Sequence, residues 1–415
     1  MAHNPHEVRI SVAGLGLRMY VSRLDRPWLE TPFLLEGLLV DSQDDLAKLK
    51  AVCQFVYVDV TRGARPDARF IEPDAPDPAK QGGPRNDIAS LNTTVWAVSA
   101  PFEAELPKAE KVHKTLETGI EEMMSDLHGG RELDMQKLKE GVEAMIDSVT
   151  RNPSAFVWLK AIKKKSNYAY QHALGSSVWA ASFGRHLGLS RDELGDLAFA
   201  GLLFDVGKTL IPEELLEKPG PFTPEEHAQM RQHVQAGIEI LERTPGVPPR
   251  TIQAVATHHE RHDGSGYPHG LQGSQIPIFG RIIGLIDSYD AMTSNRPYAA
   301  GRSPHQAVME LYHSRDRMFQ ADLVEQFIQT CGVYPSGSLV ELSDGRVGVV
   351  TAVHDLKRLR PRIMILLDAN KAPMPEFHSI DMSVVLNDAQ GQPLNIKRGL
   401  PEGAFGIDPA ELFLD

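Results

Sequence analysis

Apolar and polar residues alternate in the first part of the chain with the period of a half-buried β-strand. The alternation covers residues 7–12, 17–21 and 55–60. Ahead of the third segment, Ser42 is placed to cap a short helix. Residues 61–92 are rich in Pro, Asp, Arg and Gly without any period, which predicts a loop or linker. We therefore predict a small β-rich (α+β) domain over residues 1–100, regulatory rather than catalytic.

The pattern changes to a helical period near residue 103. Apolar residues at steps of three and four form two stripes, over 109–127 and 135–149. The first stripe ends at Gly129 and the second before Pro153. Such stripes are more typical of packing surfaces than of binding grooves. Residues 101–152 are therefore predicted to be a helical linker.

Several helices with clear start signals follow this linker. Ser190 and Thr223 each stand three residues before a Glu, which is the capping box of a helix N-terminus. Helical periods continue to residue 331, apart from the Gly-rich segment 261–277, which predicts a loop. These features predict an all-α domain over residues 153–334.

Strand-like segments return after Pro335. Residues 338–342, 346–351 and 362–367 are apolar and β-branched and are joined by polar turns. We predict a short β-rich extension over residues 335–415. The predicted fold class is thus mainly α, an all-α helical bundle with a small β-rich domain before it and a β-rich extension after it.

Composition limits the classes of function. Apolar and charged fractions of 42% and 24% are those of an ordinary globular protein, and a formal charge of −12 argues against binding a nucleic-acid polymer. Cys53 and Cys331 have no metal-like spacing and are expected to be buried thiols in a reducing compartment. We see no signal-peptide pattern and no apolar run near the roughly 18 residues of a membrane span, so a cytoplasmic location without membrane contact is expected.

Imidazoles and carboxylates recur on successive predicted helices. They are His172, Asp205, His233, His258, His259 and Asp287. A lone histidine on an apolar helix is more often a hydrogen-bonded core residue than a ligand. Burying six such groups without a metal would be costly, and imidazole with carboxylate suits Fe, Mn, Zn or Ni rather than Mg or Ca. The adjacent His258 and His259 serve one site only if a helix ends there; otherwise they reach two neighbouring sites.

In combination, the motifs of this region resemble the HD-GYP family, metal-dependent phosphodiesterases that act on cyclic di-GMP. The motifs are Asp205 with Gly207-Lys208, His233, His258-His259-Glu260, Asp263-Gly-Ser-Gly-Tyr-Pro268, and Asp287 with Arg296-Pro297. The resemblance covers about residues 166–331 and implies an HD-type helical bundle. The segment 16–21, with Trp28, Pro32 and Phe33, resembles a small uncharacterised domain often found upstream of HD-GYP domains.

The resemblance implies a role for each matching position. His172, Asp205 and Asp287 would bind one metal ion, and His233, His258 and His259 a second, with Asp205 bridging. Asp205 and Lys208 would be catalytic, and Lys208, Tyr267, Asp290 and Arg296 would contact the substrate. One or two Fe or Mn ions are implied as the cofactor and cyclic di-GMP as the ligand. Signalling proteins of GGDEF or adaptor type, and a second copy of the chain, are the expected protein partners.

The chain departs from the family pattern at the His of the HD pair, which is Phe204 here and cannot bind a metal. The position where three-metal members carry Glu is Tyr168, so a third ion is not expected. Two functions therefore stay open. One is hydrolysis of cyclic di-GMP, with linear pGpG or GMP as the final product, and the other is a degenerate domain that senses the nucleotide or a protein partner. A general nucleotide phosphohydrolase is disfavoured by the Gly-Tyr-Pro loop. We favour the enzyme.

Overall fold

The computed structural model describes residues 7–26, 31, 37–72, 94–162, 168–294, 301–354, 359–401 and 403–407. The predictions made for Trp28, Pro32, Phe33 and Arg296 lie outside this part of the chain. Within it the secondary structure follows the predicted order, a β-rich stretch, a long helical stretch and a second β-rich stretch.

A four-stranded antiparallel sheet forms the first stretch. Its strands are β1 (Glu7–Ser11), β2 (Tyr20–Leu24), β3 (Leu38–Leu39) and β4 (Phe55–Asp59), in the order β1-β4-β2-β3. Helix α1 (Gln43–Val52) begins at the predicted cap, where the Ser42 hydroxyl accepts a hydrogen bond from Asp45 N at 3.0 Å. The sheet and this helix share a small apolar core of their own.

The second predicted strand begins three residues later than the alternation indicated. Arg18 has a φ of 66°, a left-handed conformation that interrupts an extended strand. Its backbone N–H instead donates to Val40 O at 2.6 Å. Strand β2 therefore begins at Tyr20 rather than at residue 17.

Eleven further helices follow in the described residues. They are α2 (Phe102–His128), α3 (Met135–Arg151), α4 (Pro153–Ile162), α5 (Tyr168–His186), α6 (Arg191–Leu203), α7 (Glu213–Leu216), α8 (Pro224–Arg243), α9 (Pro249–Thr257), α10 (Ile278–Thr293), α11 (Pro304–His313) and α12 (Ala321–Cys331). The two apolar stripes correspond to α2 and α3, and both predicted capping boxes, at Ser190 and Thr223, are present. Helix α4 was not predicted. It starts directly at Pro153, because proline is tolerated in the first turn of a helix.

Helix α5 lies at the centre of the helical stretch. Nearly every side chain from Tyr170 to Gly184 is buried, and the helix packs against α4, α6, α10 and α12. A helix that is buried on all sides places any polar residue it carries inside the core. His172 is such a residue.

A five-stranded antiparallel sheet forms the last stretch. Its strands are β5 (Leu339–Leu342), β6 (Val347–Ala352), β7 (Arg362–Leu367), β8 (Pro373–Asp381) and β9 (Ile396–Gly399), in the order β8-β7-β6-β5-β9. The first three were predicted and the last two were not. The buried side chains of this sheet join those of the helices in one apolar cluster, to which the first sheet does not contribute.

The predicted fold class, mainly α with a β-rich region at either side, is confirmed. Cys53 and Cys331 are both buried and unpaired, as expected. Among the described helices, none combines the length and the apolar character needed to cross a lipid bilayer.

Candidate metal centre

Imidazole and carboxylate side chains from five elements converge inside the helical stretch. They are His172 on α5, Asp205 directly after α6, His233 on α8, His258 and His259 directly after α9, and Asp287 on α10. Each is buried or only partly exposed. Facing helices of a bundle commonly supply metal ligands in this way.

Asp205, His233, His258 and His259 form one compact group. A potential ligand atom of each lies within 4.8 Å of those of the others. Nε2 of His233 is 3.5 Å from Asp205 Oδ1 and 3.2 Å from Nε2 of His259, and Nε2 of His258 is 4.0 Å from the same Oδ1. Three imidazoles and a carboxylate at these separations are a suitable ligand set for one divalent transition-metal ion.

His172 and Asp287 form a second group that shares Asp205. Nε2 of His172 lies 3.1 Å from Asp287 Oδ1 and 3.6 Å from Asp205 Oδ2. Asp205 therefore directs one oxygen toward His233 and His258 and the other toward His172. If each group held a metal ion, Asp205 would be the residue that both ions share.

The end of helix α9 at Thr257 allows the adjacent histidines to reach the same group. Within a helix, consecutive side chains do not face one another. Beyond Thr257 the rings of His258 and His259 lie with their centroids 4.0 Å apart. Of the two arrangements left open by the sequence, the structure has both rings at one group.

Main-chain carbonyls hold the outer nitrogens of two of these histidines. Nδ1 of His233 is 2.7 Å from Met230 O, and Nδ1 of His258 is 2.6 Å from Val255 O. Because a carbonyl only accepts hydrogen bonds, each Nδ1 must be the donor. The unprotonated Nε2 atoms then face Asp205, which is how metal-binding histidines are usually oriented.

The electrostatics of the group fit a divalent cation. Asp205 Oδ1 and His258 Nε2 are buried without a hydrogen-bond partner among the described residues, which is costly in a protein interior. Burial lowers the pKa of His258 to about 4 and also lowers the pKa values of His233 and His259, so these rings are neutral at physiological pH. Burial alone would raise the pKa of Asp205, but Lys208 and the histidines outweigh it and keep the carboxylate charged. Neutral imidazoles around an ionised carboxylate are the protonation states that metal binding requires.

His172 differs from the other three histidines. Burial acts to lower its pKa, but Asp287 and Asp290 outweigh burial and raise the pKa to about 9. A metal ion at Nε2 of His172 must therefore displace a proton. We expect the His172 group to bind a metal less readily than the group that contains His258.

Phe204, the position at which the chain departs from the family pattern, lies between the two groups. It is the C-terminal cap residue of α6 and is fully buried. Its ring centroid is 5.2 Å from the ring of His172 and 5.2 Å from that of His258. Tyr168, the other departing position, stacks on His172 with centroids 5.3 Å apart and offers no carboxylate.

Lys208 and Tyr267 border the compact group. Nζ of Lys208 is 2.5 Å from Asp205 Oδ2. The Tyr267 ring stacks on His259 with centroids 4.6 Å apart, and the Arg231 guanidinium lies 4.7 Å from the centroid of the Tyr267 ring. The structure thus brings both predicted contact residues to the metal ligands. It also adds Arg231, which stands two residues before His233 and was not singled out from the sequence.

Glu260 holds the Gly-rich loop against the histidines. Its buried carboxylate accepts hydrogen bonds from His269 N at 2.7 Å and Leu271 N at 2.9 Å. A Cβ on Gly266 would lie 2.4 Å from Arg261 N, so only glycine fits there. The loop therefore follows a fixed path that keeps Tyr267 next to His259.

Asp290 was expected to contact the substrate, but the structure places it behind His172. Its carboxylate is fully buried, with Oδ2 2.8 Å from His172 Nδ1 and Oδ1 2.7 Å from Nζ of Lys160. This position favours an orienting role over contact with a ligand. Lys160 was missed, although a single cation among the buried apolar residues of α4 was a signal in the sequence. Arg296 lies outside the described residues.

Comparison with known proteins agrees with these features. The HD domain family matches residues 156–323, the domain of unknown function DUF3391 matches residues 7–138, and a KOW domain associated with HD domain matches residues 339–389. Residues 156–323 of the helical stretch thus match an HD domain, and the predicted HD-type fold is confirmed.

Relatives with assigned activities extend the comparison. A cyclic di-GMP phosphodiesterase of Pseudomonas aeruginosa is 32% identical over 97% of this chain and 92% of its own length. A cyclic di-GMP phosphodiesterase of Thermotoga maritima is 40% identical over 34% of this chain and 39% of that protein. The 3'3'-cGAMP-specific phosphodiesterase 2 of Vibrio cholerae is 34% identical over 46% and 37%. The chain belongs to the HD-GYP family, as its motifs predicted.

Proposed function

We propose that this protein is a metal-dependent phosphodiesterase that hydrolyses cyclic di-GMP, with either linear pGpG or GMP as the final product. The observation that carries the proposal is the convergence of Asp205 with three neutral imidazoles. Two buried polar atoms of this group, Asp205 Oδ1 and His258 Nε2, are unpaired among the described residues. The activity named for the P. aeruginosa relative, which is similar over nearly the whole chain, supports the same substrate.

The two groups of ligands would hold the metal. His233, His258 and His259 with Asp205 would hold one ion, and His172 and Asp287 with the other oxygen of Asp205 would hold a second. Imidazole and carboxylate donors are consistent with Fe or Mn, which we propose as the ions. When bound, a divalent ion supplies Lewis acidity toward a phosphoryl oxygen and lowers the pKa of water, which makes a nucleophile available at neutral pH.

The protein side chains then bind and orient the substrate. The Lys208 ammonium, next to Asp205, is placed to donate to a phosphate oxygen and to offset the negative charge that develops there during hydrolysis. We propose the same role for Arg296. Tyr267 would contact the substrate with an aromatic ring whose position is fixed, because the ring stacks on His259 and lies against the Arg231 guanidinium.

The test is a hydrolysis assay on protein purified anaerobically and loaded with Fe(II) or Mn(II). We expect metal-dependent release of pGpG from cyclic di-GMP, and loss of that activity in Asp205→Ala, which removes the carboxylate shared by both groups. A parallel assay with 3'3'-cGAMP defines the substrate class, because relatives named for either nucleotide are similar to this chain. Equal hydrolysis by wild type and Asp205→Ala would contradict the proposed centre.

A second candidate function is favoured by Phe204. Because this fully buried ring supplies no ligand where the family has a histidine, the domain would bind cyclic di-GMP or a protein partner as a sensor or adaptor without cleaving it. Nucleotide binding without any metal-dependent product would support the sensor. Absence of both nucleotide binding and product would contradict the enzyme and the nucleotide sensor and would leave only the adaptor for a protein partner.

The cellular setting belongs to the same proposal. Two buried, free thiols are compatible with a reducing cytoplasm. We propose that the β-rich N-terminal domain regulates the HD domain, and that the protein acts with GGDEF-type or adaptor proteins or with a second copy of itself. Size-exclusion chromatography with light scattering, with and without cyclic di-GMP, tests the self-association.

A further inference from the structure

Lys160 is a nearly buried cation on an otherwise apolar helix. Helix α4 carries five consecutive buried residues over 155–159, immediately before it. The Lys160 side chain is itself only 16% exposed. An ammonium group is costly to bury unless an anion lies beside it. The position therefore requires a partner inside the protein.

That partner is Asp290, whose carboxylate is completely buried. Nζ of Lys160 forms an ion pair with Oδ1 of Asp290 at 2.7 Å. The angle of this contact is not that of a hydrogen bond, and Oδ1 has no other donor among the described residues. The other oxygen, Oδ2, is 2.8 Å from Nδ1 of His172 and 3.2 Å from the Ser294 hydroxyl. Lys160, Asp290 and His172 thus form a continuous chain of polar contacts.

The chain ends at the metal ligands. Because Nδ1 of His172 is held by Asp290, its Nε2 faces Asp287 at 3.1 Å and Asp205 at 3.6 Å. One oxygen of the Asp290 carboxylate thus contacts this imidazole, and the other is paired with Lys160.

Gly175 on helix α5 provides the space in which Lys160 and Asp290 meet. A Cβ at that position would lie 2.7 Å from Lys160 Cε and 2.8 Å from Asp290 Oδ1. Any larger residue would therefore push the ion pair apart. The absence of a side chain lets the cation reach the carboxylate across the surface of α5.

We propose that Lys160 is a positioning residue of the metal centre and that it acts through Asp290 to hold His172 in its metal-binding orientation. The inference rests on the proposed function of the site. Without Lys160, Asp290 would keep a buried charge with one oxygen unpaired, and its carboxylate would turn toward other donors or water. His172 would then lose the fixed acceptor that sets the direction of its Nε2.

The test measures metal affinity rather than turnover. Metal-stripped Lys160→Met is titrated with Mn(II) by calorimetry and compared with wild type. Loss of a partner behind a metal ligand typically costs 10–100-fold in affinity, and we expect a loss of about tenfold because Lys160 acts through one further residue. The weakened ion should be the one at His172, Asp205 and Asp287.

Lys371→Met is the matched control. Lys371 also pairs with a little-exposed carboxylate, that of Glu341, at 3.1 Å, and it lies at the C-terminal sheet rather than at the metal centre. The same substitution there removes a similar ion pair without touching the site. We expect wild-type metal affinity for this control. An equal loss in both variants would show a general effect of destabilisation and would overturn the proposal.

A double-mutant cycle tests the route through Asp290. If Lys160 acts through this carboxylate, Asp290→Asn removes most of the effect of Lys160→Met on metal affinity, whereas independent effects would add. The absorption spectrum of the Co(II)-substituted protein gives a second readout, because it responds to ligand geometry. We expect it to change in Lys160→Met and to stay unchanged in Lys371→Met.

Three further outcomes distinguish a failure of this proposal from a failure of the proposed centre. If Lys160→Met does not fold, Lys160→Gln takes its place, with a smaller loss expected because the amide can still donate to Asp290; wild-type affinity in that variant would overturn the proposal. If wild type binds metal and Lys160→Met binds it equally well, only the role of Lys160 fails. If wild type binds no metal, the proposed centre itself fails.

Discussion

Two little-exposed carboxylates of this protein have very different neighbours. They are Asp205 in the helical stretch and Glu341 in the C-terminal sheet. The side chain of Glu341 is 6% exposed, and its oxygens lie 2.7 Å from Arg398, 3.1 Å from Lys371 and 3.6 Å from Lys397. Around Asp205, the Lys208 ammonium and four imidazoles converge, and Oδ1 has no hydrogen bond among the described residues.

The difference separates a structural acid from a ligand. Hydrogen bonds from Arg398 and Lys371 lower the pKa of Glu341 to about 2, and its charge is fully balanced by the protein. Lys208 pairs with Oδ2 of Asp205, but Oδ1 faces the unprotonated Nε2 atoms of His233 and His258, which cannot donate to it. A buried carboxylate oxygen whose neighbours are acceptors is stabilised when a cation binds beside it.

Removing one imidazole of the compact group is expected to have the largest effect. His258→Ala deletes a ligand and should lower Mn(II) affinity by more than about 100-fold, the upper range for residues that only support a ligand. Hydrolysis of cyclic di-GMP should fall in parallel. Calorimetric titration and a product assay measure the two losses. Glu341→Gln is the control, for which we expect the Mn(II) affinity of wild type. If His258→Ala bound Mn(II) as tightly as wild type, Asp205 would not belong to a metal centre that includes His258.

Phe204→His is expected to have an intermediate effect in the opposite direction. The new imidazole would lie between His172 and His258, whose rings are each 5.2 Å from the ring it replaces. One added ligand should raise affinity at the His172 group by about tenfold, with a corresponding gain in turnover. Metal content by elemental analysis and the hydrolysis rate measure it. Phe204→Leu, which adds no ligand, should show no gain; an equal change in both variants would contradict the explanation.

Several helices and the candidate ligands could be predicted from the sequence. Helices α2 and α3 were found because their apolar stripes have the helical period, and the starts of α6 and α8 were found because a capping box is a local signal. The six imidazole and carboxylate positions were found because such residues recur on successive predicted helices, and the family resemblance gave their roles. Stripes and caps are local signals, whereas the six positions were recognised only as a set.

Features that depend on packing could not be predicted. Strand β8 was missed because it is an edge strand with mostly exposed residues and therefore has no apolar alternation. Asp290 was assigned to the substrate because its sequence position says nothing of Lys160, which is 130 residues away in the chain and contacts it only in the folded protein. The convergence of His258 and His259 likewise depended on where α9 ends.

Glu341→Gln is expected to have a small effect on stability and none on the site. Lys397 and Arg398 are 60% and 59% exposed, so solvent weakens these pairs. We expect a loss of about 1 kcal/mol in the free energy of unfolding of the C-terminal sheet, measured by hydrogen exchange of strands β5 and β9. A loss of metal affinity in this variant would contradict the assignment of Glu341 as a structural carboxylate with no part in the metal centre.

The pH dependence of the same sheet should be the smallest effect. Folding lowers the pKa of Glu341 from 4.5 to about 2. Its contribution to stability is therefore complete above the unfolded-state value and is lost as the pH falls from about 5 toward 2. Thermal melting of wild type and Glu341→Gln across this range measures it. The gap between the two curves should close at low pH, and a constant gap would contradict the assignment.

The most direct test of the central claim, that Asp205 belongs to a metal centre, is calorimetric titration of metal-free protein with Mn(II). Wild type should bind tightly, while Asp205→Asn, which keeps the shape of the side chain and removes its charge, should lose more than about 100-fold in affinity with its helical content intact. Equal binding by the two proteins, or no binding by wild type, would contradict the account.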